Sequence, residues 1–139
     1  MSTTTRFRTA VWPSLLYRDA NAAITFLVNA FGFEEAIVYR SDDGTDVNHA
    51  ELLWPEGGGV MLGSARPESG IADLPSGVGA VYVTVTDPDA LYARAKAHGA
   101  SITREIRDED YGSRGFSARD PEGVTWSFGT YAGAAAEDS

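Results

Sequence analysis

The sequence predicts an α+β fold in which two tandem βαβββ modules form a curved, half-open barrel. Strand and helix patterns follow the same order in both halves, and the ends of the two helical segments match. Asp19 and Gly32 flank the first helical segment as Asp87 and Gly99 flank the second, and the two segments differ in length by one residue. A single such module leaves one sheet face uncovered, whereas two modules can pair their sheets with the helices outside. The concave face is then the expected ligand site.

The first module is predicted to span residues 11–64. Asp19 is a typical helix N-cap, apolar residues then recur at helical spacing, and Gly32 suits the residue that ends the helix. Strand patterns lie on either side, with turn residues at 42–44 and 55–58. The predicted strands are 11–17, 33–40, 46–54 and 60–63.

A linker is expected at residues 65–77, where proline and glycine recur without periodicity. The second module, 78–131, has an N-cap followed by proline in Asp87-Pro88, a strong start signal for a helix. Residues 120–123 have the type I turn pattern, with Pro121 at the second position and Gly123 at the fourth. The predicted strands are 81–85, 101–106, 114–119 and 124–131, and the tail at 132–139 is expected to fray.

Composition restricts the class of protein. The chain has 139 residues, which suits one domain, and a formal net charge of −9, which disfavours nucleic acid as a partner. It contains no cysteine, so disulfides and thiol chemistry are excluded and a cytoplasmic location is expected. The polar N-terminus does not suggest a signal peptide, and no apolar run is long enough for a membrane span.

His49 and Glu51 are candidate catalytic or ligand-binding residues. They stand two apart on a predicted strand, so they should face the same side of the sheet. Histidine titrates near neutral pH and is suited to general acid–base work. The alternative is a hydrogen-bonded pair that fixes strand register, or a pair that faces solvent.

Aromatic side chains on the predicted strands are candidates for contact with a flat or cationic ligand. Trp12, Trp126 and Tyr82 could form a stacking surface, although ordinary core packing is the favoured explanation for any one of them. Tyr111 and Arg114 lie beside Gly112 in a loop that could close over the cavity. Arg114 could hold an anionic ligand group, or it could pair internally with Asp110 or Asp120.

Several short motifs resemble the vicinal oxygen chelate superfamily, which includes glyoxalase I, ring-cleaving dioxygenases and bleomycin-resistance proteins. Within it, the chain resembles the PhnB-like group. The motifs cover residues 11–131 and are Pro13-Ser14-Leu15-Leu16-Tyr17-Arg18-Asp19, Ala30-Phe31-Gly32-Phe33, His49-Ala50-Glu51-Leu52, Val85-Thr86-Asp87-Pro88-Asp89-Ala90-Leu91, His98-Gly99-Ala100, Tyr111-Gly112-Ser113-Arg114 and Asp120-Pro121-Glu122-Gly123-Val124-Thr125-Trp126.

The resemblance implies where metal ligands would lie, on the first and last strand of each module. Those positions align to Trp12, Leu62 (or Met61), Val81 and Ser127, with Ala80 or Tyr82 as the alternatives if the third slips by one residue. None is a good ligand for a hard divalent metal. Trp12 and Ser127 should face the cavity, and Trp126 should point into the core. No metal and no cofactor are therefore expected.

Three functional hypotheses follow. The first, implied by the resemblance, is a metal-independent binding protein of the glyoxalase/bleomycin-resistance type. It would sequester a small antibiotic-like, aromatic or cationic compound in a groove lined by both modules. The resemblance implies a homodimer, in which modules can pair across chains. The second is an enzyme of unassigned substrate, an isomerase, a lyase or a dioxygenase-like protein that uses His49 and Glu51. The third is a ligand sensor or a partner-binding protein.

Overall fold

Two four-stranded mixed sheets form the fold, and the computed structural model describes residues 11–66 and 76–133. Most of the predicted linker and tail, and the N-terminal decapeptide, lie outside these ranges. The helix α1 continues directly into a π-helical turn at Leu27–Phe31. The elements in order are β1 (Ser14–Tyr17), α1 (Ala20–Phe26), β2 (Glu34–Arg40), β3 (Val47–Leu53), β4 (Gly59–Ser64), β5 (Ala80–Thr84), α2 (Pro88–Ala97), β6 (Ser101–Asp108), β7 (Arg114–Arg119) and β8 (Thr125–Gly129).

The two sheets have the same topology, which confirms the predicted repeat of βαβββ modules. Sheet 1 has the strand order β1-β4-β3-β2 and sheet 2 the order β5-β8-β7-β6. In both, the first strand runs parallel to the last, and the remaining pairs are antiparallel. Within the described residues no strand pairing joins the sheets, so they are not closed into a barrel.

Both helices begin as their sequences predict. The side chain of Asp19 accepts a hydrogen bond from the amide of Ala22, and that of Asp87 accepts one from Ala90, each at 3.1 Å. These bonds satisfy amides that the first turn of a helix leaves unpaired. The π-helical turn ends at Gly32, whose φ of 90° is in the left-handed region that favours glycine.

The modules pack against each other through their helix sides. The ring of Phe31, from the π-helical turn, lies 4.8 Å from that of Phe128 and 5.6 Å from that of Trp126 in β8. Trp126 is fully buried, as predicted. The guanidinium of Arg94 in α2 donates to the carbonyl of Asn29 at 2.9 Å. The prediction that the helices lie outside paired sheets is therefore wrong, because they help to form one core shared by both modules.

A buried carboxylate also joins the modules. Asp120 accepts hydrogen bonds from the hydroxyl of Tyr17 at 2.6 Å and from the indole nitrogen of Trp126 at 3.0 Å. Its other oxygen accepts from three turn amides, those of residues 122–124. Glu122 accepts from the amides of Arg18 and Asp19 across the same boundary. The turn of module 2 thus holds the end of β1 in place.

Candidate functional site

Each sheet has one side that faces away from the shared core. Residues paired on neighbouring strands share a face, so strand register defines these surfaces. We call the outward surface of sheet 1 face 1, and that of sheet 2 face 2. Face 1 contains Ser14, Ile37, Tyr39, His49, Glu51 and Met61, and face 2 contains Tyr82, Ser117 and Ser127.

His49 and Glu51 form a hydrogen-bonded pair on face 1. Nε2 of His49 lies 2.9 Å from Oε2 of Glu51, and both side chains are partly accessible. The carboxylate fixes the orientation of the imidazole and favours a proton on Nε2, which leaves Nδ1 facing its surroundings. The pair can therefore fix strand register, bind a ligand or move a proton.

Strand register decides which of the aligned metal positions face outward. Ser127 pairs with Tyr82, and Glu51 pairs with Met61, so these side chains lie on the two faces. Leu62 and Val81, the first choices for the second and third positions, face the opposite side, where Leu62 is buried. Met61 and Tyr82, alternatives that a one-residue slip offers, therefore lie on the outward faces. Neighbouring apolar residues in these strands hide that register in the sequence.

The residues at these positions do not fit a divalent metal. Trp12 precedes β1, and its ring lies against Gly59, where an added Cβ would be 2.8 Å from a ring carbon. Thioether, phenol and hydroxyl groups complete the set at Met61, Tyr82 and Ser127, and hard cations prefer carboxylate or imidazole. Among residues 11–66 and 76–133 no three His, Cys, Asp or Glu side chains are grouped so that they could hold a metal.

Three tyrosines gather at one end of face 2. The hydroxyl of Tyr82 donates to the carbonyl of Tyr131 at 2.6 Å, and the rings of Tyr111 and Tyr131 pack edge-on at 6.1 Å. All three rings are exposed; Tyr82 is 49% accessible. The loop position predicted for Tyr111 therefore lies near Tyr82. Tyr131 was assigned only to the last strand, since nothing in its local pattern indicates this cluster.

Arg114 is held by carboxylates of its own chain. Its Nε and Nη2 lie 2.9 Å from the two carboxylate oxygens of Asp89, and Nη1 lies 3.3 Å from Asp108. Hydrogen bonding to Asp89 first, and then to Asp108, raises the pKa of Arg114 above its usual value. The internal ion pair considered from sequence is present, but its partners are not Asp110 or Asp120. The guanidinium fork is already used within the chain.

A cavity of about 360 Å³ lies at the boundary between the modules. One wall is the β3–β4 turn and the other is β5, whose residues 81–84 line it. Phe33, Trp54, Tyr82 and Glu56 contribute to the lining. The indole nitrogen of Trp54 donates to the carbonyl of Thr84 at 2.9 Å and so ties the turn to β5. Sequence reasoning missed Trp54 and Glu56, because it treated them as part of a strand end and a turn.

Two hydrogen bonds from Thr86 hold the side chain of Glu56 in position. The carboxylate of Glu56 accepts from the amide of Thr86 at 3.0 Å and from its hydroxyl at 2.6 Å. The charge of Glu56 is not neutralised by these neutral donors. The cavity therefore combines aromatic rings with one negative charge, and its volume is within the range of small-molecule sites.

Comparison with known proteins places the fold in a family. The family model of the glyoxalase/bleomycin resistance protein/dioxygenase superfamily matches residues 9–128. An uncharacterized protein of Mycobacterium bovis is 34% identical over 126 residues, which is 86% of this chain and 82% of that protein. The crystal structure of TioX from Micromonospora sp. ML1 is 31% identical with a TM-score of 0.72, and the match covers 86% of this chain and 98% of TioX.

A glyoxalase I mutant from Zea mays matches with a TM-score of 0.68 at 21% identity, over 90% of this chain and 46% of that one. At that identity the likeness shows the fold alone. Among the described residues no helix has the length and apolar composition needed to cross a bilayer. The family match and the shared fold agree with the topology of two βαβββ modules. The chain belongs to the glyoxalase/bleomycin resistance protein/dioxygenase superfamily.

Proposed function

We propose that this protein binds a small planar cation without a metal and sequesters it. The observation that carries the proposal is the cavity between the modules, whose lining combines three aromatic residues with the acidic residue Glu56. Aromatic faces attract cations, by about 0.5–2 kcal/mol per contact. The formal charge of −9 adds a field of the same sign.

The site residues predicted from sequence take unequal parts in this proposal. Tyr82 lines the cavity, and Tyr111 lies beside it through Tyr131. Trp12, His49, Glu51 and Ser127 would contact a ligand only on the outward faces. Arg114 takes no part, because Asp89 and Asp108 already hold its guanidinium.

We also propose a homodimer in which face 1 of one chain lies opposite face 2 of another. Ile37, Tyr39 and Leu53 are large apolar or aromatic residues of sheet 1 that are at least 38% exposed. Patches of this kind on a monomer commonly mark an interaction surface. The PhnB-like group, on the quoted motifs, and a cytoplasmic location, on the cysteine-free sequence, complete the proposal.

A matched pair of ligands tests the binding function. Proflavine is a planar cation at pH 7.5, and acridine is a neutral ring system of similar size. We expect proflavine to bind more tightly to the wild type and to be recovered unchanged by mass spectrometry. Glu56→Gln should remove this preference, Tyr82→Ala should weaken both ligands, and Asp42→Asn, which removes an exposed carboxylate outside the cavity, should change neither. Equal binding of the two ligands, or an unaltered preference in Glu56→Gln, would contradict the proposal.

Elemental analysis and native mass spectrometry test the other two parts. We expect no stoichiometric transition metal, because the donor set at the aligned positions does not fit one. One metal per subunit would rule out metal-independent binding and make His49 and Glu51 the first ligands to substitute. A monomer at micromolar concentration would contradict the proposed dimer.

A second candidate is an enzyme that uses the pair on face 1. The contact of 2.9 Å between His49 and Glu51 favours it, since a base oriented by a carboxylate is a common catalytic arrangement. Turnover that depends on pH in the wild type and is lost in His49→Gln would support an enzyme. Tight binding without turnover supports sequestration.

A further inference from the structure

Arg66 places an unpaired guanidinium beside face 1. It follows the last residue of β4 by two positions, and the amide of Ala65 binds the carbonyl of Tyr17 at 2.8 Å, which holds the chain against β1. The side chain is half-buried. Its Nε is shielded from solvent and has no hydrogen-bond partner within the described structure. A buried donor left in this state is destabilising, and more so when it belongs to a charged group.

Other partly buried arginines of the described chain have carboxylate partners. Arg104 lies 2.7 Å from Glu109, and Arg114 pairs with Asp89 and Asp108. No carboxylate in residues 11–66 and 76–133 lies within ion-pair distance of Arg66. The difference is notable in a chain with 20 acidic and 11 basic residues. Arg66 is therefore a cation without a counter-charge from its own described structure.

A small polar cavity adjoins this guanidinium. It has a volume of about 110 Å³, and Ser14, Asn48, His49 and Ser64 line it together with Arg66. Since one water occupies about 30 Å³ in the liquid, the space suits a single polar group with one or two waters. Hydroxyl, amide and guanidinium donors predominate in the lining. Glu51 lies behind His49 and is engaged with its Nε2.

We propose that this cavity binds a small oxyanion, with Arg66 as its charged donor. The class that fits is a carboxylate, because the two terminal nitrogens of a planar guanidinium can donate two parallel hydrogen bonds to it. The amide of Asn48 and the hydroxyl of Ser14 supply neutral donors at the rim. The volume admits the anionic head group of a ligand and excludes the body of a large one. This inference goes beyond the proposed function, since the proposed cation site is the larger cavity between the modules and not the cavity beside Arg66.

Nitrogen-15 NMR of the wild type tests the proposal directly. The Nε–Hε signal of Arg66 is assigned by its loss in Arg66→Lys, and the protein is titrated with sodium benzoate at constant ionic strength. We expect a saturable shift of this signal in the millimolar range. Benzamide, which has the same ring without the charge, and chloride should not produce it. A linear shift, or the same shift with chloride, would overturn the proposal.

Substitutions then measure the contribution of the guanidinium. Arg66→Met should weaken benzoate binding about ten- to hundredfold, the loss expected for charge-assisted hydrogen bonds, as followed on the backbone amides of residues 48 and 61. The affinity of Arg66→Lys for benzoate should lie between those of the wild type and Arg66→Met, because lysine keeps the positive charge but lacks the planar guanidinium that donates two parallel hydrogen bonds. Arg119→Met removes the same charge from an exposed position of sheet 2. An equal loss in Arg119→Met would make the effect one of net charge and overturn the assignment.

Discussion

Removal of the Asp120 carboxylate is expected to weaken the boundary between the modules more than any single surface change. Asp120 is 5% exposed, and its donors Tyr17 and Trp126 are fully buried. In Asp120→Ala, the Tyr17 hydroxyl and the Trp126 indole nitrogen lose their acceptor, at about 1–3 kcal/mol each. The three turn amides can recover bonds to water in part. We therefore expect a loss of about 4 kcal/mol in the free energy of unfolding.

A loss of this size is a large part of the usual stability of a domain, about 5–15 kcal/mol. For a chain of this length, about 3 °C of Tm corresponds to each kcal/mol, so Tm should fall by about 12 °C. Urea denaturation and differential scanning calorimetry measure both quantities. Protein concentration must be fixed, because the stability of a dimer depends on it. Asp110→Ala removes an exposed carboxylate and should change the free energy of unfolding by less than about 0.5 kcal/mol.

A double-mutant cycle separates the Tyr17 hydrogen bond from the rest. Tyr17→Phe removes one donor and leaves Asp120 with four, so we expect a loss of about 1 kcal/mol. The double variant has no Tyr17 hydroxyl to be left without an acceptor, so its loss in the free energy of unfolding should be smaller than the sum of the losses in the two single variants. Additive losses, or a loss below about 1 kcal/mol in Asp120→Ala, would refute the view that this carboxylate holds the modules together.

Three further predictions concern local effects. Burial first, and then the neighbouring carboxylate Asp120, raises the pKa of Tyr17 far above 10. Above pH 10 the unfolded state therefore binds fewer protons than the folded state, and the free energy of unfolding falls as pH rises. Urea titrations up to pH 11.5 should show a shallower fall with pH in Tyr17→Phe than in the wild type, and equal slopes in the two proteins would contradict this. Gly32→Ala should cost about 1–2 kcal/mol, more than Gly44→Ala, because both have positive φ but only the Cβ at Gly32 would meet an arginine of α2, at 3.3 Å; equal Tm losses would argue against crowding. A hydrogen bond from Arg114 holds the pKa of Asp89 below its usual value, so carbon-13 NMR should find that pKa higher in Arg114→Gln, and an unchanged value would mean that the ion pair does not persist in solution.

The fold was predictable because its signals are local and occur twice. Asp19 and Asp87 are each followed by a helix whose first turn they cap, and the observed cap bonds have equal lengths. Strand alternation placed His49 and Glu51 on one face. The helical spacing up to Gly32 identified the buried side of α1 and its π-helical turn. None of these inferences requires knowledge of what lies across the core.

The packing between modules could not be predicted, because it depends on residues distant in sequence. Phe31 contacts Trp126 across 95 positions, by subtraction of their numbers, and nothing near Phe31 distinguishes this from packing on its own sheet. The register of β4 was left open between two residues for a different reason. Met61 and Leu62 are both apolar and of similar size, so hydrophobicity alone does not tell which of them faces outward.

The candidate site was predictable only where a strand pattern carried it. Arg66 belonged to a segment without periodicity, and its significance lies in the absence of a partner, which a sequence does not reveal. Trp54 lies at the edge of a turn, where the sequence pattern does not indicate which way an aromatic side chain points. The partners of Arg114 are 25 and 6 positions away, by subtraction, while the carboxylates at 110 and 120, which are 4 and 6 positions away, do not pair with it.

The arrangement of the core separates stability from binding in this chain. The modules bury their helix sides together and hold them with Asp120, so the outward faces and the rim of the cavity contribute little to folding. Substitutions at exposed positions usually change stability by less than about 0.5 kcal/mol. Substitutions of the exposed residues Tyr82 and Glu56 are therefore expected to leave the fold intact, so that their effect on the proposed ligand can be measured by itself. Membership of the superfamily does not by itself identify a ligand, and the charges at Glu56 and Arg66 are the features on which the two proposed ligand classes, a cation and an oxyanion, depend.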